Sequence, residues 1–284
     1  MVLRLLHLNK DYTEAQQATN DVWLTNIQHF NLEETLDCGQ AFRYEKMNFG
    51  YQGIAFRRRI SLMQSDGHLI LKDVSLPEFE STWKDYFDLQ RDYSSLRSFL
   101  VEYGGNPMKL ATEFSPGLRH MRQEPWEILI SFILSQNTNI PRIKTMIRRL
   151  CENFGEKLDC GGYTFPSSKK LASLNPDDLR VIKCGYRAAF IIDAARRTTD
   201  GRFSLEDLKH KETAKIREEL LKIHGVGPKV ADCVLLHGFN KTEVCPVDVW
   251  IKRALEKYYP KGLPDKLVPY AGIAQQFLFH YIRK

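Results

Sequence analysis

The residues with the most chemical potential lie between Leu220 and Arg253, LLKIHGVGPKVADCVLLHGFNKTEVCPVDVWIKR. Apolar spacing on either side of Gly225-Val226-Gly227 predicts two helices joined by a tight hairpin, with Pro228 suited to the first position of the second helix. Two glycines around one apolar residue leave the hairpin N–H groups unpaired at a helix N-terminus. The dipole there is positive, and such a terminus binds phosphate. Turns between helices also use glycine for its backbone alone, so a plain turn fits the same residues. Lys229 falls in the first turn of the second helix. A cation there costs ~0.3–1 kcal/mol against the dipole, and the same field favours the neutral amine, which is the nucleophilic form. A lysine that only grips phosphate would occupy the same place. Asp248 follows 19 residues later in Pro246-Val247-Asp248, ahead of the helical pattern Val249, Trp250, Ile251, Ala254, Leu255 and Tyr258. It suits an N-cap, without the Glu or Gln three residues on that would complete a capping box, because Ile251 stands there. A carboxylate delivered to a fixed point near a neutral amine can also stabilise an oxocarbenium-like transition state or help deprotonate the amine. The two uses are compatible.

Such residues need a scaffold, and the chain is long enough to supply one. Its 284 residues suggest two domains, or one large one. With 43% hydrophobic and 27% charged residues, the composition is that of a globular chain and argues against disorder and fibrous repeats. The longest nearly apolar run, Trp126 to Leu134, is interrupted by Glu127 and is far short of the ~20 residues of a membrane span. The N-terminal MVLRLLHLNKDYTE lacks the hydrophobic core and cleavage site of a secretion signal. The net charge of +6 is uneven: residues 1–105 carry 11 Lys/Arg against 15 Asp/Glu, and residues 106–284 carry 30 against 20. Only the second part is then suited to face a polyanion, although Lys and Arg also simply solvate helix faces. Of the six cysteines, Cys38, Cys151, Cys160, Cys184, Cys233 and Cys245, none forms a C-x-x-C pair. That argues against a zinc knuckle, a thioredoxin-type site and a zinc deaminase, and free thiols in a reducing compartment are expected.

The first hundred residues read as mixed α and β. Phe42 to Lys46 and Tyr51 to Phe56 flank the turn Asn48-Phe49-Gly50, and Ile54 to Met63 and Leu69 to Val74 flank Ser65-Asp66-Gly67. An antiparallel meander of three or more strands follows, with Arg57-Arg58-Arg59 inside one strand as a solvated edge. From Pro77 to Tyr103 the spacing is helical, and Gly104-Gly105-Asn106-Pro107 punctuates the chain as a domain boundary. Beyond it the pattern is helical almost throughout. Trp126 to Ser135 reads as a buried helix, Ser135 to Asn139 as a polar break, and Asn139 as the cap of a helix with Pro141 in its first turn. A loop spans Gly161 to Ser168, and helices follow around 177–182, 186–198, 213–223, 228–238, 248–259 and 269–282.

The order helix, G-V-G-P-K, helix and P-V-D resembles the signature of the helix-hairpin-helix (HhH-GPD) base-excision DNA glycosylases, and within them the 8-oxoguanine DNA glycosylase/AP lyase branch. Further anchors resemble that branch in the same order: Gly39-Gln40-Ala41-Phe42-Arg43, Arg122-Gln123-Glu124-Pro125-Trp126-Glu127, Ser135 to Arg142, Gly185-Tyr186-Arg187-Ala188, and Ala271-Gly272-Ile273-Ala274-Gln275 with Leu278-Phe279. The resemblance implies an α+β chain. A TBP-like antiparallel-sheet domain (1–105) would precede an all-α glycosylase domain (106–284), whose last helix lines the base pocket.

It also implies roles. Lys229 would attack C1′ of the damaged nucleotide and form a Schiff base, β-elimination would nick the strand, and Asp248 would assist at the sugar. The base must leave the stack first. Phe279 and Cys233 would hold it, Gln275 would read its Watson–Crick edge, and the Gly39 carbonyl would accept the N7–H that distinguishes 8-oxoguanine, a discriminator of ~1–3 kcal/mol. Asn137, Arg142 and Arg187 would hold the estranged cytosine while Tyr186 wedges into the stack. Gly225, Val226, Gly227 and Trp250 would meet the DNA backbone.

The chain departs from the family pattern at three of these places. Trp250 stands where well-known eukaryotic members have histidine, Thr138 replaces an asparagine, and His237 takes a position usually held by methionine near the base pocket. No cysteine follows Cys245, so the iron–sulfur loop of endonuclease III-type relatives is excluded. The resemblance implies no metal or cofactor, duplex DNA containing 8-oxoguanine as partner, a monomer, and a nuclear or cytoplasmic, nucleoid-associated address. Two other readings are an alkylated-base glycosylase, which usually lacks the lysine, and a non-catalytic DNA-binding module, which would leave Asp248, Gln275 and Phe279 without evident use.

Overall fold

The computed structural model describes residues 4–6 and 11–283, so half of the N-terminal stretch MVLRLLHLNKDYTE lies outside them. The chain divides into two compact units, one of Met1–Gly53, Ile60–Arg122 and Val247–Lys284, the other of Ile54–Arg59 and Gln123–Pro246.

An antiparallel sheet dominates the first part of the chain. Its strands are β1 (Arg4–Leu6), β2 (Glu14–Ala18), β3 (Asp21–Thr25), β4 (Tyr44–Met47), β5 (Gly50–Ala55), β6 (Arg58–Ser65) and β7 (His68–Lys72), in the order β1-β2-β3-β7-β6-β5-β4. Tyr51, Gly53 and Ala55 of β5 are buried alternately, the period of a sheet with one covered face. The expected turn at 65–67 forms with both Asp66 (φ 49) and Gly67 (φ 75) left-handed, which matches strand twist.

The single strand expected from Ile54 to Met63 is in fact two. A two-residue turn at Phe56 (φ 48) and Arg57 (φ 60) separates β5 from β6, without the Asn or Gly that usually marks one. Within the second unit the Phe56 N–H donates to Glu124 Oε2 at 3.0 Å, Arg57 pairs with Glu156 at 2.5 Å, and Arg59 donates to the Cys160 carbonyl at 2.7 Å. These bonds hold the turn in a conformation that its residue types disfavour. Arg57 thus sits at a turn rather than inside a strand.

Among the described residues, eight helices have nine or more residues: α1 (Tyr93–Phe114), α2 (Pro125–Leu134), α3 (Ile140–Phe154), α4 (Arg187–Thr199), α5 (Thr213–Leu221), α6 (Pro228–Phe239), α7 (Val249–Tyr258) and α8 (Ala271–Ile282). None is long and apolar enough to cross a membrane. The helical stretch expected from Pro77 to Tyr103 is interrupted between Tyr86 and Tyr93, where Asp88 is left-handed (φ 50) and Phe87 and Leu89 are buried. Gly104 to Pro107 lies within α1, which kinks at Gly105 (φ 65).

A charged knot anchors the first unit. Arg119 and Asp11 are fully buried and paired at 2.5 Å, Arg119 also donates to the His29 and Asp88 carbonyls at 2.9 Å each, and its guanidinium lies 4.2 Å from the centre of the Tyr93 ring. In the same unit α8 packs on α1 and α7. In the second unit α6 packs on α2 and α5, and α2 on α3 and α4. Local capping follows the sequence: Asn139 Oδ1 accepts the Arg142 N–H at 3.0 Å, with Pro141 in the first turn of α3.

Candidate active site and nucleic-acid interface

In the second unit, the turn from α5 to α6 is built around Gly225, whose φ of 80° and whose neighbour require glycine: an added Cβ would lie 2.2 Å from the Phe190 ring on α4. Side chains from outside the turn hold it in place. Gln136 Nε2 donates to the Gly225 carbonyl at 3.0 Å, and the His224 N–H donates to Asp193 Oδ2 at 2.9 Å. The N–H groups do not all stay open as expected, because that of Val226 is bonded to the Ile223 carbonyl at 3.0 Å. Among the described residues no partner is present for the N–H of Gly225 or Gly227, and Gly227 is the N-cap of α6 without a side-chain cap. An anion acceptor thus remains at a positive helix end.

Lys229 is the second residue of α6 and half-buried, with no carboxylate partner among the described residues. Its Nζ lies 5.0 Å from the centre of the Phe132 ring of α2. Cys233 and His237 follow at one-turn intervals on α6 and are buried. His237 stacks on Phe132, the ring centres 5.5 Å apart and the planes 6° from parallel. Asp232, also on α6, pairs with Arg217 of α5 at 2.5 Å. Burial pushes its carboxyl up to about 6, against the opposing pull of Arg217. Burial first, then the charge of Asp232, pushes the Cys245 thiol up to about 12, so this thiol stays protonated and inert.

A second cluster in this unit surrounds the polar break after α2. Asn137 is left-handed (φ 48), and its Nδ2 donates to the Tyr186 hydroxyl at 3.0 Å. The Tyr186 side chain is prominent, at 52% exposed. Arg187 beside it is buried. Its Nε donates to the Gln136 carbonyl and its Nη1 to the Cys184 carbonyl, both at 3.0 Å, its Nη2 also reaches the Gln136 carbonyl, and the guanidinium packs 4.7 Å from the Tyr186 ring centre. Much of its donor capacity is engaged by backbone, which makes it a staple for this loop. Arg142 stands exposed on the first turn of α3.

The first unit carries the remaining candidates. Asp248 caps α7 as expected, and both bonds go to one oxygen: Oδ1 accepts the Trp250 N–H at 3.0 Å and the Ile251 N–H at 2.8 Å. No hydrogen bond to Oδ2 is present among the described residues. Trp250 is 38% exposed, with Arg253 lying 5.4 Å from its ring centre, and Val247 and Val249 are exposed beside it. On α8, Gln275 is only 5% exposed and its Oε1 accepts from Gln276 Nε2 at 3.4 Å. Gln276 in turn meets the Cys38 thiol at 3.8 Å, which ties the loop of Gly39 (φ 95) to α8. Gln40 fastens the same loop, donating to the Thr35 and Arg119 carbonyls at 2.8 and 2.7 Å and accepting the Met121 N–H at 3.0 Å. Phe279 is half-buried with Arg283 over its ring at 4.8 Å.

The structure therefore gathers Gly225 to Gly227, Lys229, Cys233 and His237 along one turn and helix, and Asn137, Tyr186 and Arg187 in one cluster. Gly39, Gln275, Phe279, Asp248 and Trp250 belong to the other unit. Sequence reasoning missed Phe132, Gln136 and Phe190. Gln136 had a signal, as a polar residue ending an apolar helix, whereas the two phenylalanines look like any core residue. Among the described residues no group of His, Cys, Asp and Glu is placed to hold a metal.

Residues 22–129 match the model for the N-terminal domain of 8-oxoguanine DNA glycosylase, and residues 130–265 match that for HhH-GPD superfamily base excision DNA repair proteins. An N-glycosylase/DNA lyase of Saccharomyces cerevisiae is 41% identical over 167 residues, covering 53% of this chain but only 44% of the yeast protein. A probable N-glycosylase/DNA lyase of Methanothermobacter thermautotrophicus is 32% identical over 70% of this chain and 73% of its own length. The solved 8-oxoguanine glycosylase/lyase of Clostridium acetobutylicum, bound to DNA with cytosine opposite 8-oxoguanine, superposes with a TM-score of 0.91 at 35% identity over 96% of this chain and 98% of that one. The chain belongs to the HhH-GPD superfamily of base excision DNA repair proteins, in its 8-oxoguanine DNA glycosylase branch.

Proposed function

We propose that this chain is a bifunctional 8-oxoguanine DNA glycosylase/AP lyase that acts on duplex DNA with cytosine opposite the lesion, in the compartment that holds the DNA. The observation that carries the reading is Lys229: a half-exposed amine without a carboxylate partner, at the positive end of α6 and next to open hairpin N–H groups.

In this reading Gly225, Val226 and Gly227 hold a phosphate of the damaged strand through their turn, and Trp250 with Arg253 meets the backbone. The neutral Lys229 amine bonds to C1′ as the bond from C1′ to the base breaks. The bonding pair leaves with the base, which takes up the proton shed by Nζ. Opening of the sugar ring, with a proton added to its oxygen, gives the iminium, and β-elimination of the 3′-phosphate nicks the strand. Asp248 Oδ2, left open by the cap, faces the positive charge that builds on the sugar. Gly39 accepts the N7–H, Gln275 reads the base edge, and Cys233, Phe279 and His237 each contact the base. The burial of Gln275 and the stitched loop of Gly39 suit recognition by a few fixed bonds. Tyr186 fills the vacated stack, Asn137 and Arg142 face the estranged cytosine, and Arg187 holds their loop and offers its remaining N–H groups.

Borohydride reduction tests this directly. A covalent complex is expected with 8-oxoguanine·C duplex and none with Lys229→Gln. Undiminished trapping in that variant removes Lys229 as the nucleophile. Tight binding without trapping by the unmodified chain turns the reading into a DNA-binding module.

A further inference from the structure

Helices α2 and α6 approach closely near one end. A Cβ added to Gly238 would lie 3.0 Å from Cα of Pro125, and the His237 carbonyl accepts the Gln123 N–H at 2.9 Å. This approach lines up three side chains. Phe132 of α2 is 5% exposed, His237 of α6 is 2% exposed and lies parallel to it, and Lys229 Nζ hangs 5.0 Å from the Phe132 ring centre. The face of an aromatic ring carries partial negative charge, and a cation within about 6 Å of its centre is attracted, most strongly when water is excluded. No carboxylate pairs with Lys229 among the described residues, and the face of this ring lies against its Nζ. The histidine that this chain places at 237 lies parallel to the ring, the centres 5.5 Å apart.

We propose that Phe132 is a further catalytic residue whose ring face stabilises the positive charge on Nζ of Lys229 during Schiff-base formation. The proposal rests on the reading of Lys229 as the nucleophile. The neutral amine carries no charge. As its lone pair bonds to C1′ and the base departs, Nζ becomes cationic, and it is cationic again in the iminium. A ring that attracts the cation and hardly the neutral amine therefore stabilises the transition state more than the reactant, which is the condition for raising a rate. Other titratable or charged groups on α2, α5 and α6 include Glu127, His237 and Cys233, together with Asp232 and Arg217, which are paired, and Lys215, which is paired with Glu218 and Glu219.

The test replaces Phe132 by 3,4,5-trifluorophenylalanine, which keeps the shape of the ring and removes the negative character of its face. Single-turnover borohydride trapping on 8-oxoguanine·C duplex is followed across pH, alongside the affinity for the same duplex. On the alkaline plateau the fluorinated protein is expected to trap about tenfold more slowly, equivalent to ~1.4 kcal/mol. Its duplex affinity is unchanged. Phe132→Tyr retains the plateau rate and Phe132→Leu does not. A plateau rate equal to that of the unmodified protein in the fluorinated variant overturns the proposal, whatever Phe132→Leu does to folding. Failure of the unmodified protein to trap at all overturns the nucleophile reading, and this one with it.

Discussion

The chemical role proposed for Asp248 can be separated from its cap atom by atom, because both cap bonds converge on Oδ1 at 3.0 and 2.8 Å. Asp248→Ala removes the cap, at ~0.5–2 kcal/mol, and the negative charge at the N-terminus of α7, at ~0.3–1 kcal/mol. At ~2–4 °C per kcal/mol for a chain of this size, melting falls by roughly 2–12 °C. Asp248→Asn keeps an oxygen that can accept both N–H groups and loses only the charge, which corresponds to a fall of about 1–4 °C. The chemical loss is the same in both variants. A full charge ~4 Å from a developing cation, at an effective dielectric of ~20, contributes ~4 kcal/mol, or on the order of a thousandfold in rate. Single-turnover release of 8-oxoguanine at saturating protein, read beside thermal melting, distinguishes the two losses. The Asn variant is expected to melt close to the unmodified chain while excision falls by on the order of 100- to 1000-fold. An Asn variant that excises at the unmodified rate refutes the chemical role of Oδ2. Equal melting losses for Asn and Ala refute the cap as the source of the stability.

Three other perturbations follow from the structure. Asp232, held near 6 by burial instead of its ordinary 3.8, favours the folded state while protonated and loses that contribution as the pH rises from about 4 through 6. Asp232→Asn mimics the protonated form and does not titrate, so the unmodified chain should fall progressively below it in melting temperature across that window, with the gap levelling off above it, and a gap that does not change with pH would contradict the assignment. Arg119→Met leaves Asp11 as an uncompensated buried charge and is expected to cost ~3–5 kcal/mol in urea unfolding, so a loss under ~1 kcal/mol would show that the knot is not structural. Arg142→Ala is expected to narrow the excision ratio between opposite C and opposite A, and an unchanged ratio removes this arginine from the cytosine contact.

The features legible in the sequence were those whose cause is local. The G-V-G-P-K hairpin, the Asp248 cap and the Asn139 cap with Pro141 each depend on a special backbone angle or a bond to an N–H two or three residues away. Residue type and spacing are enough to demand them. The sheet was legible where turns carried Asp-Gly or Asn and Gly. It was not legible at β1 to β3, with the polar run EAQQA in β2, nor at Phe56-Arg57, where contacts to Glu124 and Glu156 enforce a turn that neither residue announces. Sequence alone thus determined which residues could carry the chemistry and the helix ends that present them. Tertiary packing decided which groups they would meet: the burial of Arg187 among backbone carbonyls, the grouping of Val247–Lys284 with the sheet unit, and the ring of Phe132 under Lys229. These contacts join residues tens to hundreds of positions apart, and burial and close packing, the forces that create them, leave no periodic or capping signature in the chain.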